Sequence, residues 1–547
     1  MLYNIFRKFG LDRLKRISVM WRTVLEFSRC ADVRTDVCRT IHFRRESLVV
    51  RGDAYIMEYI VHGRNPESFF HFFEELSQIP RGSGNESGAA DYVSAFAASR
   101  GLECYRDEMN NVLIKKPASS GYETHSAVLL QGHLDMVCVA RAGVSHDFTA
   151  EPLRLVEKNG FLSAEGTTLG GDDGFAVATM LALLDDHSLV HPPLECLFTV
   201  GEETGLVGAL GFDVSLLSAD KMINLDSEEE HLVVNGCVGS ADYTVRLKPE
   251  RVELYGRVLD INIGGFSGGH SGGDIDRSRV NALRLFGRLF AELYERSPFN
   301  LVSINSGSVS NAIPCELSAR IAVSDEPFVT SQLEQLFDAV RAELPPEEKR
   351  GYLRVECTKA SKLTESRMLT FKSTSNLLSL LALAPCGVTR RSCADPAFVE
   401  ASANIASAHV DADGDIVITL MYRSSDESMQ DHMRTQLLRL CRLIGAQLTE
   451  LGRYPGWSPV YDTELQRSYI SAFLAVNPEY LAPEVKPIHA GLECGVIAGR
   501  SETECGRHIE CISIGPDIFD IHTPSERMDI DSCERVYAAI VKALSML

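Results

Sequence analysis

Four apolar segments in the first half of the chain each end in acidic residues or histidine. Helical patterns separate them, as in TTLGGDDGFAVATMLALLDD, where a glycine turn leads into an apolar helix. Strands that alternate with helices predict an α/β fold, in which functional groups gather at the carboxyl ends of the strands. The groups expected there are His133 and Asp135 after AVLLQG, Asp172 and Asp173 after TLGG, Glu202 and Glu203 after LECLFTVG, and Asp226 after MINL.

Each of these acidic groups has an ordinary structural explanation when it is taken alone. Asp172 could cap the helix that follows it, and Glu202 and Glu203 could begin a solvated loop. If all of these explanations held, several independent strand ends would have to place carboxylates at the same edge of the sheet by chance. Clustered carboxylates repel and raise one another's pKa values unless a cation neutralises them. The pattern therefore predicts a site for divalent metal ions.

The types and number of these side chains narrow the choice of metal. Imidazole together with carboxylate oxygens favours zinc, manganese or cobalt over magnesium or calcium. One tetrahedral ion needs fewer ligands than are present, so we expect two ions, roughly 3.5–4 Å apart, that share a bridging carboxylate. With a further carboxylate as general base, such a pair is suited to hydrolysing an amide bond.

Length and composition exclude several other classes of protein. The chain has 547 residues, 24% charged and 45% hydrophobic, which is typical of a globular protein of two to four domains. It has no apolar run of the roughly 18–20 residues that a membrane span needs. Its net charge of −21 argues against a nucleic-acid-binding surface. The 15 cysteines are dispersed without a CxxC pair, which favours reduced thiols and a cytoplasmic location.

The first 53 residues differ from the rest, with 12 lysines and arginines against 6 acidic residues. The segment lacks the apolar run and cleavage site of a secretory signal. Three interpretations stay open: an organelle transit peptide, an arm for nucleic acid or membrane, and upstream translation that is not native. Met57 precedes the first strongly patterned segment, so a start at that residue fits the third interpretation.

Seven motifs resemble those of the co-catalytic dinuclear zinc peptidases: GHLDMV, TTLGGDDG, GEETGLVGA, NLDSEE, GGHSGGDI, NAIP and DIHTPSERM. RGSGNE, RSSDESM and IHAGLECGV are particular to the aminoacyl-histidine dipeptidase branch of that family, which includes peptidase D. The resemblance extends from Asn65 to Leu547. It implies an α/β catalytic domain, a mixed sheet flanked by helices, with an inserted α+β lid domain.

The resemblance divides the chain into four regions. Residues 1–63 would be a basic leader that is disordered or not native, and residues 64–241 the first part of the catalytic domain. Residues 242–451 would be the inserted lid, and residues 452–547 the second part of the catalytic domain. Strand patterns such as LYGRVLDINIGG and amphipathic helices such as VNALRLFGRLFAELYE are typical of an α+β lid.

Position in the motifs implies five metal ligands. His133 and Asp226 would bind one ion, Glu203 and His522 the other, and Asp172 would bridge the two. Taken by itself, His522 is equally compatible with a turn. The motif that contains it favours the ligand.

The resemblance also implies roles around the ligands. Glu202 would be the general base that deprotonates the bridging water and later delivers the proton to the leaving amine. Asp135 would orient His133. A cis peptide bond follows the bridging aspartate in the family, here between Asp172 and Asp173. Close relatives are expected to have asparagine where this chain has Asp173, whose side chain should point away from the metals.

In the lid, the resemblance implies that His270 stabilises the oxyanion, from this subunit or from a partner. The segment GGFSGGHSGGD also fits a flexible loop with an incidental histidine. Asn311 and Arg423 would hold the terminal carboxylate of the substrate, since a guanidinium fork pairs with carboxylates. His489, in PIHAGLECG, would line the pocket wall. Four histidines without such context are expected at the surface: His146, His187, His191 and His231.

Together these features predict a metallopeptidase with two divalent ions, zinc being favoured over manganese or cobalt. It would be a cytoplasmic dipeptidase that hydrolyses short unblocked dipeptides, Xaa-His and carnosine-like ones included. An N-acyl amino acid hydrolase and a tripeptidase are alternatives with the same metal centre. A non-catalytic ligand-binding protein on this fold is a third, although the base position is filled by Glu202. No nucleic-acid or membrane partner is expected, and the sequence leaves open whether the protein is a homodimer.

Overall fold

Two large β-sheets organise the residues that the computed structural model describes, which are 58–358 and 365–547. The basic leader was predicted over residues 1–63, and residues 1–57 of it lie outside this part of the chain. From Tyr59 to Leu547 the chain is one compact unit. Within the described ranges, every helix is too short or too polar to cross a membrane.

The strands and helices are numbered here in chain order. The strands are β1 (Glu103–Arg106), β2 (Val112–Lys116), β3 (Val128–His133), β4 (Leu155–Lys158), β5 (Phe161–Ala164), β6 (Leu194–Thr199), β7 (Lys221–Asn224), β8 (Leu232–Cys237), β9 (Gly239–Leu247), β10 (Arg251–Glu253), β11 (Arg257–Gly264), β12 (Gly269–His270), β13 (Asn300–Ser306), β14 (Ala312–Ile313), β15 (Leu317–Val323), β16 (Tyr352–Cys357), β17 (Arg367–Leu369), β18 (Gly387–Arg391), β19 (Val399–Val410), β20 (Ile416–Ser424), β21 (Gln447–Tyr454), β22 (Glu484–Ile488), β23 (Glu510–Ser513), β24 (Ile518–Phe519) and β25 (Arg527–Asp529). The helices are α1 (Glu67–Leu76), α2 (Ser87–Arg100), α3 (Gly171–Asp185), α4 (Val207–Gly211), α5 (Ala282–Arg296), α6 (Glu326–Glu343), α7 (Phe371–Leu383), α8 (Glu427–Ile444), α9 (Glu464–Val476), α10 (Glu493–Cys505) and α11 (Ile530–Leu544).

The first sheet has eight strands in the order β1-β2-β6-β3-β7-β23-β8-β22. It is mixed, and its central strands β6, β3, β7 and β23 run parallel to one another. Leu130 of β3 belongs to one hydrophobic cluster and Leu129 to another, so both faces of the sheet are covered. The register pairs Gln131 with Asn224 and His133 with Thr199. The carboxyl ends of β6, β3 and β7 therefore meet at one edge.

The second sheet has nine strands, with the order β16-β11-β15-β13-β19-β20-β9-β21 and β18 paired to β19. Its strand pairs are antiparallel. Helices α5 to α8 share one hydrophobic cluster with alternate residues of β9, from Ala241 to Leu247, so they cover one face. The chain then returns to the first sheet at β22 and β23. The expected architecture, an α/β catalytic domain with an inserted α+β lid, is confirmed.

Candidate metal centre

The side chains predicted at the strand ends meet at the carboxyl edge of the first sheet. β3 ends at His133, and Asp172 lies in the glycine turn at the start of α3. Glu202 and Glu203 follow β6, and Asp226 follows β7. Because these strands are parallel neighbours, the loops that carry the side chains open on the same side.

Asp172 lies between two histidines that are far apart in the sequence. Its Oδ1 is 2.9 Å from His133 Nε2, and its Oδ2 is 3.1 Å from His522 Nε2. His522 Nε2 is also 2.9 Å from Glu203 Oε1, and His133 Nε2 is 3.5 Å from Asp226 Oδ1. The carboxylate of Asp172 thus presents one oxygen to each half of the cluster.

Three groups of side chains in the described part of the chain could each hold a metal ion, with donor atoms within 4.8 Å of one another. The first two groups share Asp172, which is the arrangement expected of a bridged pair of ions. Only the third contains Glu202, so this residue also reaches the cluster. The groups are His133, Asp172 and Asp226; Asp172, Glu203 and His522; and His133, Glu202 and Glu203.

The cluster carries an excess of negative charge, which burial makes costly. Burial and neighbouring carboxylates raise the pKa of Glu202 well above its usual range and that of Asp226 to about 7. Burial disfavours the charged form of His522, but hydrogen bonds to Asp172 and Glu203 outweigh it and raise its pKa to about 11. The acidic groups therefore share protons unless another cation neutralises them. This donor set fits divalent metal ions.

Asp135 joins two of the loops that carry the cluster. Its Oδ1 is 3.4 Å from His133 Nδ1 and accepts the N–H of Glu202 at 3.1 Å. Its Oδ2 accepts the N–H of Glu203 at 3.3 Å and the hydroxyl of Ser83 at 2.8 Å. A carboxylate beside Nδ1 favours a ring whose Nε2 is free for a metal.

The peptide bond between Asp172 and Asp173 is cis, as the resemblance implied. The side chain of Asp173 faces backbone groups. Its Oδ2 accepts the N–H of His133 at 3.1 Å, and its Oδ1 accepts the N–H of Ala176 at 3.1 Å. Asp173 therefore binds backbone N–H groups at the end of β3 and in the first turn of α3. It lies in none of the three donor groups.

Sequence analysis missed the role of Arg81, a fully buried side chain in the RGSGNE motif. Its guanidinium donates to the carbonyl groups of Leu134 at 3.0 Å and Asp135 at 2.7 Å, after the end of β3. It also donates to the carbonyl of Gly170 at 2.5 Å, in the turn before Asp172. One cation thus connects the loops of two candidate metal ligands.

Glu526, in the DIHTPSERM motif, holds the same turn from the other side. It is 3% exposed, and its carboxylate accepts three N–H groups of residues 169–171 at 2.8, 3.1 and 2.8 Å. Both motifs were noted in the sequence, but which buried groups Arg81 and Glu526 would face cannot be read from them. Together they fix the turn that presents Asp172.

A group of buried polar side chains lies within the first sheet, next to the residues of the metal cluster. Asn224 donates to the side-chain oxygen of Gln131 at 2.8 Å, and Thr199 donates to Glu493 at 2.5 Å. Gln131 also donates to Glu493, a residue of the IHAGLECGV motif that is completely buried. Burial raises the pKa of Glu493 to about 7. This group ties α10 to three neighbouring strands of the sheet.

The residues expected from the lid lie at one end of the second sheet. Arg423 is 5% exposed on β20, and His270 lies on β12. Burial, followed by the charges of Arg423 and His522, lowers the pKa of His270, so this ring lies within electrostatic range of both. The carbonyl of Asn311 accepts the N–H of Ser271 at 2.7 Å, which places Asn311 beside the His270 loop.

His489 has both ring nitrogens occupied. Its Nδ1 lies 2.7 Å from the carbonyl oxygen of Val399, and its Nε2 lies 2.7 Å from the hydroxyl of Ser402. Since a carbonyl only accepts, Nδ1 carries the proton and Nε2 accepts from Ser402. Burial and the charge of Arg423 lower the pKa of His489 to about 4. The ring is therefore neutral and suited to a pocket wall.

The prediction that His191 lies at the surface was wrong. His191 is 2% exposed, and its Nδ1 donates to the carbonyl of Pro192 at 2.6 Å. Its backbone pairs with Ser119, through its own N–H at 2.9 Å and its carbonyl at 3.0 Å. Pairing with a loop about seventy residues away buries this histidine, and no local pattern marks that pairing.

A mixed sheet with a carboxylate and histidine cluster at its carboxyl edge, under an inserted lid, defines a metallopeptidase. The chain belongs to peptidase family M20/M25/M40, whose family model matches residues 129–546. It is 34% identical over 484 residues to the cytosol non-specific dipeptidase of Escherichia coli (strain K12), covering 88% of this chain and 97% of that relative.

Solved structures give the same result. The aminoacylhistidine dipeptidase from Vibrio alginolyticus matches with a TM-score of 0.78 and 30% identity, over 89% of this chain and 97% of that one. A tripeptidase from Staphylococcus aureus subsp. aureus Mu50 shares the fold, with a TM-score of 0.50, 16% identity, and coverage of 88% and 98%. The predicted family and enzyme class are confirmed.

Proposed function

We propose that this metallopeptidase hydrolyses short unblocked dipeptides in the cytoplasm, Xaa-His and carnosine-like dipeptides included. The observation that carries the proposal is the carboxylate of Asp172, which presents one oxygen to His133 and the other to His522. This arrangement suits two ions that share a bridging ligand, and we propose zinc ahead of manganese or cobalt. The dipeptidase relatives align with this chain over nearly their whole lengths, which supports a substrate of dipeptide size.

Five residues would hold the ions. His133 and Asp226 would bind one, Glu203 and His522 the other, and Asp172 both. When bound, the ions would polarise the scissile carbonyl and lower the pKa of a water molecule. The remaining groups would bind the substrate and move protons.

Glu202 would act as the general base and then as the acid. It would accept the proton of the attacking water and deliver it to the leaving amine. Its N–H is bound to Asp135 at 3.1 Å, and Asp135 in turn lies against His133. The position of the base is thus tied to that of a ligand, and Asp135 would serve both.

The lid would supply the contacts that select short substrates. His270 would stabilise the oxyanion, and Asn311 and Arg423 would hold the terminal carboxylate. Arg423 is buried, and its Nε has no hydrogen-bond partner among the described residues. A buried guanidinium with an unused donor supports the binding of an anion.

We also propose the domain boundaries: 64–241 and 452–547 for the catalytic domain, and 242–451 for the lid. The charge of His522 of the same chain contributes to the lowered pKa of His270, which supports a role for His270 in the site of its own chain. A homodimer in which His270 serves the partner's site is the alternative. Mixing His270→Ala with an inactive Glu202→Gln protein would restore activity only in that case.

The test is a hydrolysis panel with metal-stripped protein, alone and with zinc, manganese or cobalt. The panel contains carnosine, an ordinary α-dipeptide, a tripeptide and an N-acetyl amino acid. We expect metal-restored cleavage of the dipeptides. Cleavage of only the acetylated compound would favour an N-acyl amino acid hydrolase, and preference for the tripeptide a tripeptidase. No turnover despite two bound ions would favour a non-catalytic binding protein.

A further inference from the structure

Four side chains form a row across the second sheet. Ser402 of β19 pairs with Arg423 of β20, Arg423 pairs with Ser240 of β9, and Ser240 pairs with Tyr454 of β21. Directly paired residues of neighbouring strands point to the same face of a sheet. We call these four residues the Arg423 row. The small Ser240 lies between two long side chains, which can therefore approach each other above it.

Arg423 and Tyr454 meet across Ser240. Arg423 Nη1 donates to the hydroxyl oxygen of Tyr454 at 3.5 Å, which is long for a hydrogen bond. Among the described residues this is the only hydrogen bond of the Tyr454 hydroxyl, so its own proton has no acceptor. An arginine cannot accept a proton. The hydroxyl therefore remains free to donate to a further group.

Two more donors of the row are unused. Arg423 Nε and the hydroxyl of Ser240 are both buried without a partner in the described part of the chain. Arg423 is 5% exposed and Ser240 is 2% exposed. Asp242 lies near enough for Arg423 to lower its pKa, against the larger effect of burial, and its Oδ1 has no hydrogen-bond partner among the described residues. Buried donors are normally paired, so this set of donors indicates an acceptor from outside the chain.

The hydroxyl of Tyr454 also has a defined position. Its ring packs against the hydrophobic cluster that contains Leu492 and Val496, beside Trp457. A Cβ on Gly491 would lie 2.6 Å from the hydroxyl oxygen, so a larger residue there would displace it. Gly491 belongs to the IHAGLECGV motif, whose glycine thus leaves room for this group.

The charges of Arg423 and Glu202 both act on the hydroxyl of Tyr454. Burial, as the largest cause, raises the pKa of Tyr454, the charge of Arg423 lowers it, and the charge of Glu202 raises it. The phenol is therefore protonated at neutral pH, and it is within electrostatic range of both charged groups. A neutral donor beside a guanidinium adds a second hydrogen bond to a carboxylate without adding charge.

We propose that Tyr454 is a substrate-binding residue that donates a hydrogen bond to the C-terminal carboxylate of the dipeptide, next to Arg423. This rests on the proposed function. The row lies on the second sheet and Glu202 at the edge of the first sheet, so the distance between them sets the length of peptide that can satisfy both. The Tyr454 hydroxyl is thus part of the selection for a free carboxylate close to the scissile bond.

The test replaces the hydroxyl alone, with Tyr454→Phe. We expect KM for an unblocked dipeptide to rise about tenfold, with kcat changed less than about threefold, because a hydrogen bond to a charged group is lost from a buried site. The same dipeptide with an amidated C-terminus should not distinguish the variant from wild type. If the amidated dipeptide is not cleaved, it can be used as an inhibitor of the cleavage of the unblocked dipeptide. Its inhibition constant should then be the same for Tyr454→Phe and for wild type.

Tyr422→Phe is the matched control. Tyr422 precedes Arg423 on β20, its ring lies in the lid core, and its buried hydroxyl has no partner in the described ranges. We expect its kinetic constants and melting temperature to match wild type, while Tyr454→Phe keeps the melting temperature and loses affinity. Equal constants for the two variants, or a fall in kcat alone, would overturn the proposal. If wild type cleaves no dipeptide, the proposed function fails instead, which is a separate outcome.

Discussion

The metal edge of the first sheet and the Arg423 row of the second sheet have opposite electrostatic character. The metal edge crowds carboxylates, and burial and repulsion raise the pKa values of two of them, Glu202 and Asp226. The Arg423 row has a buried guanidinium beside the neutral ring of His489. The first region carries an excess of carboxylates, and the second is centred on a buried guanidinium.

The two regions also differ in how their residues are held. Around the metal edge, Asp135, Arg81 and Glu526 bind backbone groups on both sides of the ligands, so the ligands are fixed before any ion binds. In the Arg423 row, the buried donors of Arg423 and Ser240 have no partner among the described residues. The comparison indicates a fixed site for resident metal ions, and a recess that a substrate anion completes.

The largest effect should come from the base at the metal edge. Glu202→Gln keeps the shape of the side chain but cannot accept a proton, so kcat on a dipeptide should fall about 10³-fold. Metal content, measured by elemental analysis after gel filtration, should stay at the wild-type value because Glu202 is not an expected ligand. Loss of one ion together with activity would contradict the separation of base and ligands.

The second-largest effect should come from the guanidinium group of Arg423. Arg423→Lys keeps the charge but loses the planar pair of donors, so KM for an unblocked dipeptide should rise roughly 10- to 100-fold with a smaller change in kcat. Arg434→Lys is the control, because Arg434 is exposed and its one ion pair in the described part of the chain is with Glu450. An equal KM in both variants would show that the Arg423 row does not bind the terminal carboxylate of the substrate.

A third variant tests whether the metal edge is fixed by its surroundings. Glu526→Gln keeps an acceptor for the turn of residues 169–171 but removes the charge that binds three N–H groups. Metal affinity, measured by competition with a chelator, should fall roughly tenfold or more, since partners that orient ligands have effects of this size. Glu504→Gln, an exposed residue paired with Arg500, should leave the affinity unchanged.

The smallest expected effect is the contribution of His489, beside the Arg423 row, to the pH dependence of stability. The pKa of His489 is about 4 in the folded protein and about 6.5 when unfolded, so the unfolded state binds more protons between these values. Stability is therefore present above pH 6.5 and decreases as pH falls towards 4, by on the order of 3 kcal/mol for this group. His489→Gln should lose less melting temperature than wild type between pH 7 and 4.5. The exposed His187→Asn should follow wild type, and equal slopes for all three proteins would exclude this role of His489.

Local sequence patterns determined much of this protein. Apolar runs followed by His133, Glu203 or Asp226 predicted strands whose ends carry ligands, because parallel strands open their carboxyl ends at one edge. The glycine turn predicted the start of α3, and Gly170 indeed has φ 68°. Such signals are readable because they depend on neighbours within a few residues, where strand, turn and helix preferences act.

Contacts between distant segments were decided by the tertiary structure. His522 reaches Asp172 across 350 positions, and taken alone it fitted a turn as well as a ligand. His191 was expected at the surface because nothing near it in sequence announces the loop that covers it. The pairing of Arg423 with Tyr454 above Ser240 depends on the register of three strands. Residue types and short spacings limit which chemistry a chain can carry, but which side chains share a buried site depends on packing that no local segment encodes.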